Sequence, residues 1–244
     1  MTEVIRAVLL AAGRGTRLGA LTANTAKPML EVGGKPILHR IVAGLAAGGI
    51  QEVMVVTGHS AESLEAATGD GSRWGVVIRY VRKHVPDGTA RAVALARDFV
   101  GDEPFLAGWG DVVVEPGNYG PIINATAGAD GAIAVNEVDD PATGAAVYVD
   151  SAMRVTRIIE KPEPGTSTTR WNNAGMMVLP AAIWPHIESL PLSPRSEYEL
   201  PQAVAALVAA GCELRAVPVL GPWFDIGTAE NLAAARAHFG SSNR

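Results

Sequence analysis

Cysteine, aromatic side chains and long apolar runs are all scarce in this chain of 244 residues. The one cysteine, Cys212, cannot form an internal disulfide, and we interpret it as a half-buried thiol rather than a nucleophile. The apolar runs are far shorter than the roughly 20 residues that cross a membrane, and no basic, apolar leader precedes the first predicted strand. These features predict a cytoplasmic protein with no membrane partner.

Positive charge is also in short supply. The 20 lysine and arginine side chains are outnumbered by 25 aspartates and glutamates, so the formal net charge is −5. A protein that binds nucleic-acid phosphates gathers lysine and arginine on one face, and we therefore predict no nucleic-acid partner. The histidines lack the close-paired spacing of a zinc site: His39, His59, His84, His186 and His238.

Apolar residues and glycine are plentiful. Apolar residues make up 48% of the chain against 5% aromatic, and 27 glycines are present. This composition favours one α/β domain with closely packed helices. The length is enough to bury a sizeable core.

Hydrophobic periodicity predicts alternating strands and helices in the first half. The predicted strands cover residues 4–10, 52–56, 76–81 and 104–109. The predicted helices run from residue 37 to the glycine pair at 48–49 and from about 60 to 68. A third begins within residues 86–90 and extends to residue 99. This is the doubly wound order, in which ligands bind beyond the carboxyl ends of the strands.

The second half is predicted to be mixed. A helix at 119–127 and a strand at 132–137 precede a hairpin of strands at 145–149 and 154–160. An apolar strand at 171–178 follows, and we expect Trp171 to pack in the core. A helix at 201–210, a strand at 214–219 and a closing helix at 229–239, with Thr228 as its N-cap, complete the pattern.

The loop after the first strand has the composition of an anion site. Gly13 and Gly15 allow the backbone N–H groups to approach a ligand closely, and Arg14 and Arg17 add forked positive charge. The P-loop pattern does not fit, and neither does a dinucleotide fingerprint, which needs a glycine where Leu18 stands. These residues alone fit both a phosphate-binding loop and an ordinary turn.

The sequence around this loop resembles a known family. Leu-Ala-Ala-Gly-x-Gly-Thr-Arg-Leu at 10–18, followed by Lys-Pro-Met-Leu at 27–30, is similar to the opening of the sugar-1-phosphate nucleotidylyltransferases, or NDP-sugar pyrophosphorylases. This family includes glucose-1-phosphate thymidylyltransferases and mannose-1-phosphate guanylyltransferases. Its members join a nucleoside triphosphate (NTP) to a sugar 1-phosphate and release pyrophosphate.

The resemblance implies a fold and a division of the chain. The implied fold is a Rossmann-like α/β domain with a mixed, mostly parallel sheet flanked by helices. Some relatives also carry a β-helix domain made of short repeats rich in Ile, Val and Gly. This sequence shows no such repeat, so we expect no β-helix domain and no acyltransferase activity. A single nucleotidylyltransferase domain would cover 1–240, with a nucleotide-binding half at about 1–115 and a sugar-binding half at about 116–240. Residues 241–244 would form a tail.

The resemblance also implies the nucleotide site. Arg17 would bind the triphosphate and the departing pyrophosphate, and Lys27 would lie at the α-phosphate. Gly88 and Thr89 begin a helix and would lie against the base, although a plain helix start is the alternative. Lys83 stands where some relatives carry glutamine, so the base stays open. The implied nucleotide-binding residues are Leu10, Ala11, Ala12, Gly13, Gly15, Thr16, Arg17, Gly88, Thr89 and Asp111.

A Mg²⁺ site is expected at two aspartates. Asp111 follows a predicted strand, so it faces the ligand crevice, and Mg²⁺ binds through one or two carboxylates together with substrate phosphates. Asp225 lies in Trp-Phe-Asp-Ile-Gly-Thr at 223–228, which matches the family's Trp-x-Asp-x-Gly-Thr. The resemblance therefore implies that Asp111 and Asp225 bind the metal.

The implied sugar-phosphate site centres on Glu-Lys-Pro at 160–162. The mobile ammonium of Lys161 can neutralise the sugar phosphate, and Glu160 can accept hydrogen bonds from hydroxyls. Gly144, Asn173 and Gly175 match sugar contacts of the family, and an amide suits a hydroxyl because it both donates and accepts. Without the resemblance, the tripeptide is typical of a solvated strand end. A Glu-x-Glu-Leu segment at 197–200 also recurs in relatives and is assigned no role.

The length of the chain and one short segment bear on the identity of the substrates. The short chain and Pro-Asp-Gly at 86–88 resemble the UTP- and dTTP-using branch, so we favour UTP or dTTP, then GTP. The acceptor would be a hexose 1-phosphate or a hexose-like cyclitol phosphate. A regulatory relative that binds nucleotide without turnover and a phosphocholine or other cytidylyltransferase are the alternatives. Both a monomer and a homo-oligomer fit the sequence.

Overall fold

The computed structural model of this chain describes residues 3–126 and 128–241. Its strands are β1 (Arg6–Ala11), β2 (Glu31–Val32), β3 (Lys35–Pro36), β4 (Glu52–Thr57), β5 (Val77–Arg82), β6 (Phe105–Trp109), β7 (Val112–Val114), β8 (Gly131–Glu137), β9 (Ala145–Val149), β10 (Val155–Glu160), β11 (Trp171–Leu179), β12 (Leu214–Pro218) and β13 (Trp223–Asp225). Its α-helices are α1 (Ile37–Ala47), α2 (Ala61–Thr68), α3 (Thr89–Ala94), α4 (Arg97–Val100), α5 (Tyr119–Ile123), α6 (Ile183–Glu188), α7 (Leu200–Ala209) and α8 (Ala229–Ser241). None of these helices has the length and apolarity needed to cross a membrane.

One large sheet organises the chain. Its order is β10-β9-β11-β6-β1-β4-β5, with β8 paired to β11 and β12 paired to β8. Strand β1 runs parallel to β4 and β6, and β4 runs parallel to β5. Strand β11 is antiparallel to β6, β8 and β9. The predicted mixed sheet is confirmed, its parallel pairs lie mainly in the first half, and the described residues contain no β-helix.

Both faces of the sheet are buried, and β1 lies among its central strands. Because alternate side chains of a strand point to opposite faces, Leu9 belongs to one apolar cluster with Leu38 and Ile41 of α1, whereas Val8 belongs to a second cluster with Val93 of α3 and Val204 of α7. Fully burying such side chains stabilises the fold by about 2 kcal/mol each. The loop after β1 therefore begins from a rigid position beside the ends of β4 and β6.

The predicted helix reaching residue 99 is wrong, because the structure has two short helices there. Ala96 leaves helical geometry, with φ −97° and ψ 8°, between α3 and α4. The break lets Val93, Ala96 and Val100 all lie fully buried in one apolar cluster. No glycine or proline marks this position, so local sequence gave no sign of it.

Several other boundaries also differ. The helix predicted at 119–127 ends at Ile123, and residue 127 lies outside the described residues. Helix α8 includes Ser241, the first residue of the predicted tail, and residues 242–244 lie outside the described part. Trp171 is half-buried and packs against the apolar cluster around Val8. Helix α6 and the short strands β7 and β13 were not predicted from periodicity. Strands β7 and β13 pair with each other.

Candidate active site

The loop after β1 approaches its neighbours through glycine. Gly15 has φ +64°, and a Cβ there would lie 3.2 Å from Lys27 Cβ and 3.0 Å from Thr22 Cγ2. The Thr22 hydroxyl donates to the Gly15 carbonyl at 2.9 Å. At Gly13, in contrast, a Cβ would meet no described atom within 4 Å, so this part of the loop is open to a ligand. The loop is thus pressed against Lys27 on one side and free on the other.

Lys27 meets both predicted metal ligands. Its Nζ atom lies 2.6 Å from Asp111 Oδ2 and 3.9 Å from Asp225 Oδ1, and its side chain is 9% exposed. The ribbon of β7 and β13 brings the two aspartates together, since Val112 pairs with Asp225 and the Ile226 amide donates to the Asp111 carbonyl at 3.0 Å. Asp111 and Asp225, which are far apart in sequence, therefore both contact the ammonium of Lys27.

The charges around Asp225 oppose one another. Burial and the neighbouring Asp111 carboxylate raise the pKa of Asp225, whereas Lys27 and Arg17 lower it. The Arg17 guanidinium lies against Gly227, where a Cβ would stand 3.1 Å from Nη2. Arg17, Lys27, Asp111 and Asp225 are thus within one electrostatic group.

This group can help to hold a divalent cation. Carboxylate oxygens are the ligands that Mg²⁺ prefers, and the Lys27 ammonium shows that a cation fits between Asp111 and Asp225. In the part of the chain that the structure describes, no cluster of three or more His, Cys, Asp or Glu side chains could hold a metal. A metal here would need further ligands from substrate phosphates or water.

A cavity of about 330 Å³ extends from this group to the predicted sugar residues. Arg17, Thr89, Asp111 and Asp225 all contribute to its lining. The predicted sugar-phosphate residues also contribute to it, and we call their part of the lining the sugar end: Gly144, Glu160, Lys161, Asn173 and Gly175. The structure therefore brings both predicted sets to one cavity.

The remaining nucleotide residues lie outside the lining of this cavity. Ala11 is buried and Leu10 half-buried, and both pack in the core. Ala12 is half-buried, and its backbone would be 2.6 Å from a Cβ on Gly58. Thr16 lines a second, more open cavity of about 410 Å³.

Glycines at the sugar end permit close packing. A Cβ on Gly144 would collide with Asn172 Oδ1, and the Gly144 carbonyl accepts from the Lys161 amide at 2.7 Å. Lys161 itself has φ +44°, a conformation that side chains rarely adopt. The Gly175 amide donates to Asn173 Oδ1 at 3.0 Å, which fixes the Asn173 carboxamide. The strained turn at Lys161 directs the chain out of β10 at the cavity wall.

Arg195 and Glu199 are candidate functional residues to which the sequence alone assigned no role. Arg195 Nη2 lies 3.3 Å from Glu160 Oε1 and also hydrogen-bonds Glu199, and both Arg195 and Glu199 line the cavity. Burial, the Glu199 charge and a hydrogen bond with Glu199 raise the pKa of Glu160 to about 8, against the lowering effect of Arg195. The Glu-x-Glu-Leu segment was visible in the sequence, but nothing local connects it to Glu160.

The variant Glu160→Gln is expected to flatten the pH dependence of stability. Between the ordinary glutamate pKa of 4.5 and about 8, the folded protein keeps a proton on Glu160 that the unfolded chain releases. The free energy of unfolding therefore falls as pH rises through this window, by at most about 1.4 kcal/mol per pH unit. Urea denaturation at pH 5.5 and pH 8 measures the slope.

The exposed Glu163→Gln substitution is the control, because it removes a carboxyl outside the cavity lining. It should keep the wild-type slope. If Glu160→Gln also keeps that slope, Glu160 is ionised in the folded protein at neutral pH.

Gly88 lies at the start of α3, where hydrogen bonds of the next two residues join the helix to the segment before α7. It has φ +110°, and a Cβ there would stand 2.6 Å from the Tyr198 amide nitrogen. The Tyr198 carbonyl accepts from the Ala90 amide at 2.9 Å, and Thr89 Oγ1 accepts from the Leu200 amide at 2.8 Å. The helix start thus has a structural reason for its glycine, independent of any ligand.

The nucleotidyl transferase family matches residues 6–242 of this chain, nearly its whole length. The chain belongs to the nucleotidyl transferase family. The predicted membership of the sugar-1-phosphate nucleotidylyltransferases is confirmed by this match and by the relatives that carry such names. The mixed sheet described above is the fold of solved members.

Three relatives illustrate how similar this chain is to individual members of the family. Agl11, a low-salt glycan biosynthesis nucleotidyltransferase from Haloferax volcanii, is 36% identical over 95% of this chain and 65% of its own length. A glucose-1-phosphate thymidylyltransferase from Streptomyces griseus is 30% identical over 93% of this chain and 64% of its own. A UTP-bound UGPase from Acinetobacter baumannii has a TM-score of 0.83 at 25% identity, covering 98% of this chain and 94% of that one. The chain therefore spans somewhat less than two thirds of the length of the first two relatives.

Proposed function

We propose that this chain joins an NTP to a sugar 1-phosphate and releases pyrophosphate. The observation that carries the proposal is the single cavity lined by Arg17, Asp111, Lys161 and Asp225, with Lys27 bound to both aspartates. Membership of the nucleotidyl transferase family supports the same reaction. The predicted division into a nucleotide-binding half and a sugar-binding half fits a cavity whose lining contains residues of both halves.

The reaction needs no side-chain nucleophile. A phosphate oxygen of the sugar 1-phosphate attacks the α-phosphorus, a new P–O bond forms, and the bond to the β-phosphate oxygen breaks with its electrons leaving on pyrophosphate. Lys161 holds the sugar phosphate, Lys27 faces the α-phosphate, and Arg17 neutralises the triphosphate and the departing pyrophosphate. Catalysis then consists of aligning two anions and balancing the charge that develops.

Mg²⁺ is the cofactor we propose for the two aspartates. Asp111 and Asp225 would each supply oxygen ligands, and the substrate phosphates would supply others. When bound, the metal polarises the phosphoryl oxygens and neutralises negative charge. Lys27 lies within reach of both carboxylates, so it can exchange its contacts with them for contacts with the phosphates.

UTP or dTTP is the proposed donor, ahead of GTP, with a hexose or cyclitol 1-phosphate as acceptor. The names of the thymidylyltransferase and the UTP-bound relative support a pyrimidine base. Lys83 forms an ion pair with Asp87 beside the proposed base site, so it differs from the glutamine of some relatives in charge as well as shape. We also propose that the protein acts in the cytoplasm, where nucleoside triphosphates are found.

A nucleotide-by-sugar activity matrix tests the proposal. We expect pyrophosphate release with Mg²⁺ for at least one pairing of UTP, dTTP, GTP, ATP or CTP with a sugar 1-phosphate. No pyrophosphate release across the panel would contradict the proposed reaction. Formation of CDP-choline from CTP and phosphocholine would show that the acceptor is phosphocholine rather than a sugar phosphate. A preference for GTP or ATP would overturn the pyrimidine base while leaving the reaction intact.

A further inference from the structure

The backbones of Asp111 and Asp225 are joined by one hydrogen bond of a single peptide unit. The peptide between Asp225 and Ile226 donates its N–H to the Asp111 carbonyl at 3.0 Å. Because a trans peptide is planar, its C=O group points in the opposite direction, away from Asp111. A group that holds this carbonyl therefore also sets the angle at which the backbone of Asp225 meets that of Asp111.

The Asp225 carbonyl is held by a side chain of α8. Asn231 Nδ2 donates to it at 2.7 Å, and the Gly227 amide donates to it at 2.8 Å. The Gly227 contact lies within the same turn, two residues along the chain, so it moves together with Asp225. Of these two contacts, only the one from Asn231 ties the peptide to a different element of the fold.

Helix α8 gives Asn231 a fixed starting point. The Thr228 hydroxyl accepts from the Asn231 amide at 3.2 Å, which is the predicted N-cap contact. The next residue, Leu232, is 2% exposed and belongs to the apolar cluster that contains Leu9 of β1. The Asn231 side chain is exposed, but it extends from a helix that is packed against the core.

The Asp225 carboxylate depends on its backbone for its direction. Its side chain is 46% exposed, and its distance of 3.9 Å to Lys27 Nζ is beyond hydrogen-bond range. Asp111, in contrast, meets the same ammonium at 2.6 Å. Mg²⁺ requires nearly ideal octahedral geometry, so a rotation of the peptide after Asp225 would turn one of the two carboxylates away from a shared metal.

We propose that Asn231 is a positioning residue for Asp225. It holds the peptide after Asp225 from α8, so that this carboxylate stays directed at the same point as the carboxylate of Asp111. The inference rests on the proposed function only in taking the two aspartates as metal ligands. Groups that orient metal ligands commonly contribute about 10- to 100-fold to metal affinity.

The variant Asn231→Ala tests this role. We expect the dissociation constant for Mn²⁺, measured by electron paramagnetic resonance on the protein without substrates, to rise about tenfold. The Ile226 amide should exchange its hydrogen with solvent at least about tenfold faster, because its bond to the Asp111 carbonyl opens more often. The Mg²⁺ concentration for half-maximal pyrophosphate release should rise as well, with the KM for the sugar phosphate and the kcat at saturating Mg²⁺ changed less than about threefold.

Three further variants separate positioning from a general effect on α8. Asn231→Gln keeps an amide donor and should restore about half or more of the lost Mn²⁺ affinity. Asn231→Asp keeps the shape of the side chain, but an ionised carboxylate cannot donate, so its Ile226 amide should exchange as fast as that of Asn231→Ala. Glu230→Gln changes the exposed neighbour in the first turn of α8 and should behave like the wild type.

The outcomes that overturn the inference are distinct from those that contradict the proposed function. If the wild type binds Mn²⁺ and Asn231→Ala binds it equally well, or if Ile226 exchange is unchanged, the inference is overturned. Lower thermal stability without rescue by Asn231→Gln also overturns it, because the role is then structural alone. If Asn231→Ala does not fold, equal Ile226 exchange in Asn231→Gln and Asn231→Asp overturns it. A wild type that neither binds Mn²⁺ nor releases pyrophosphate contradicts the proposed function, whereas faster Ile226 exchange would still show that Asn231 positions Asp225.

Discussion

Replacement of Asp111 or Asp225 by asparagine is expected to lower kcat/KM more than about 100-fold, since loss of one preorganised electrostatic contact costs roughly 3 kcal/mol at the transition state. Asparagine keeps the shape of the side chain and removes its charge. Both carboxylates contact Lys27, so each substitution also leaves that ammonium with one partner fewer. Pyrophosphate release over a Mg²⁺ titration measures the loss.

The exposed Asp98→Asn substitution is the matched control, because Asp98 lies in the first turn of α4 and outside the cavity lining. Its activity and Mg²⁺ dependence should equal those of the wild type. Near-normal turnover in both Asp111→Asn and Asp225→Asn would show that the metal is held elsewhere.

The second large effect is expected at Gly88. Gly88→Ala should lower the free energy of unfolding by more than about 3 kcal/mol, because it combines an unfavourable backbone conformation with a backbone clash. The added Cβ would stand 2.6 Å from the Tyr198 amide nitrogen, and relief of this contact would separate α3 from the segment that carries Glu199. Urea denaturation measures the stability, and the KM for the sugar phosphate reports the displacement.

Gly101→Ala isolates the backbone contribution. Gly101 has φ +66°, but a Cβ there would meet no described atom within 4 Å. Its ψ of −135° places it outside the left-handed helical well, in a region that side chains rarely adopt, so its substitution should cost about 1 to 3 kcal/mol. Equal losses at Gly88 and Gly101 would mean that the Tyr198 segment yields freely and does not position the cavity wall.

The local pattern of the sequence determined which segments form the sheet. It also determined the family to which the chain belongs. The short apolar run that becomes β1, and helical spacing from Ile37 to Leu45, are properties of neighbouring residues, so they can be read without knowing the fold. The glycine-arginine loop and the motifs around Lys27, Asp111 and Asp225 depend likewise on short stretches. Of the residues in these stretches, Arg17, Asp111 and Asp225 line one cavity, and Lys27 forms ion pairs with both aspartates.

Longer-range features were decided only by tertiary structure. Strands β7 and β13 have three residues each, too few to show periodicity, and they exist because each pairs with the other and places Asp111 beside Asp225. The Arg195 contact with Glu160 joins positions 35 residues apart, so no spacing rule links them. The pKa of Glu160 depends on burial and on a carboxyl from another element, neither of which its sequence neighbours encode. A side chain's type follows from the sequence, but its partners and local dielectric, which set its charge, follow from how distant elements pack.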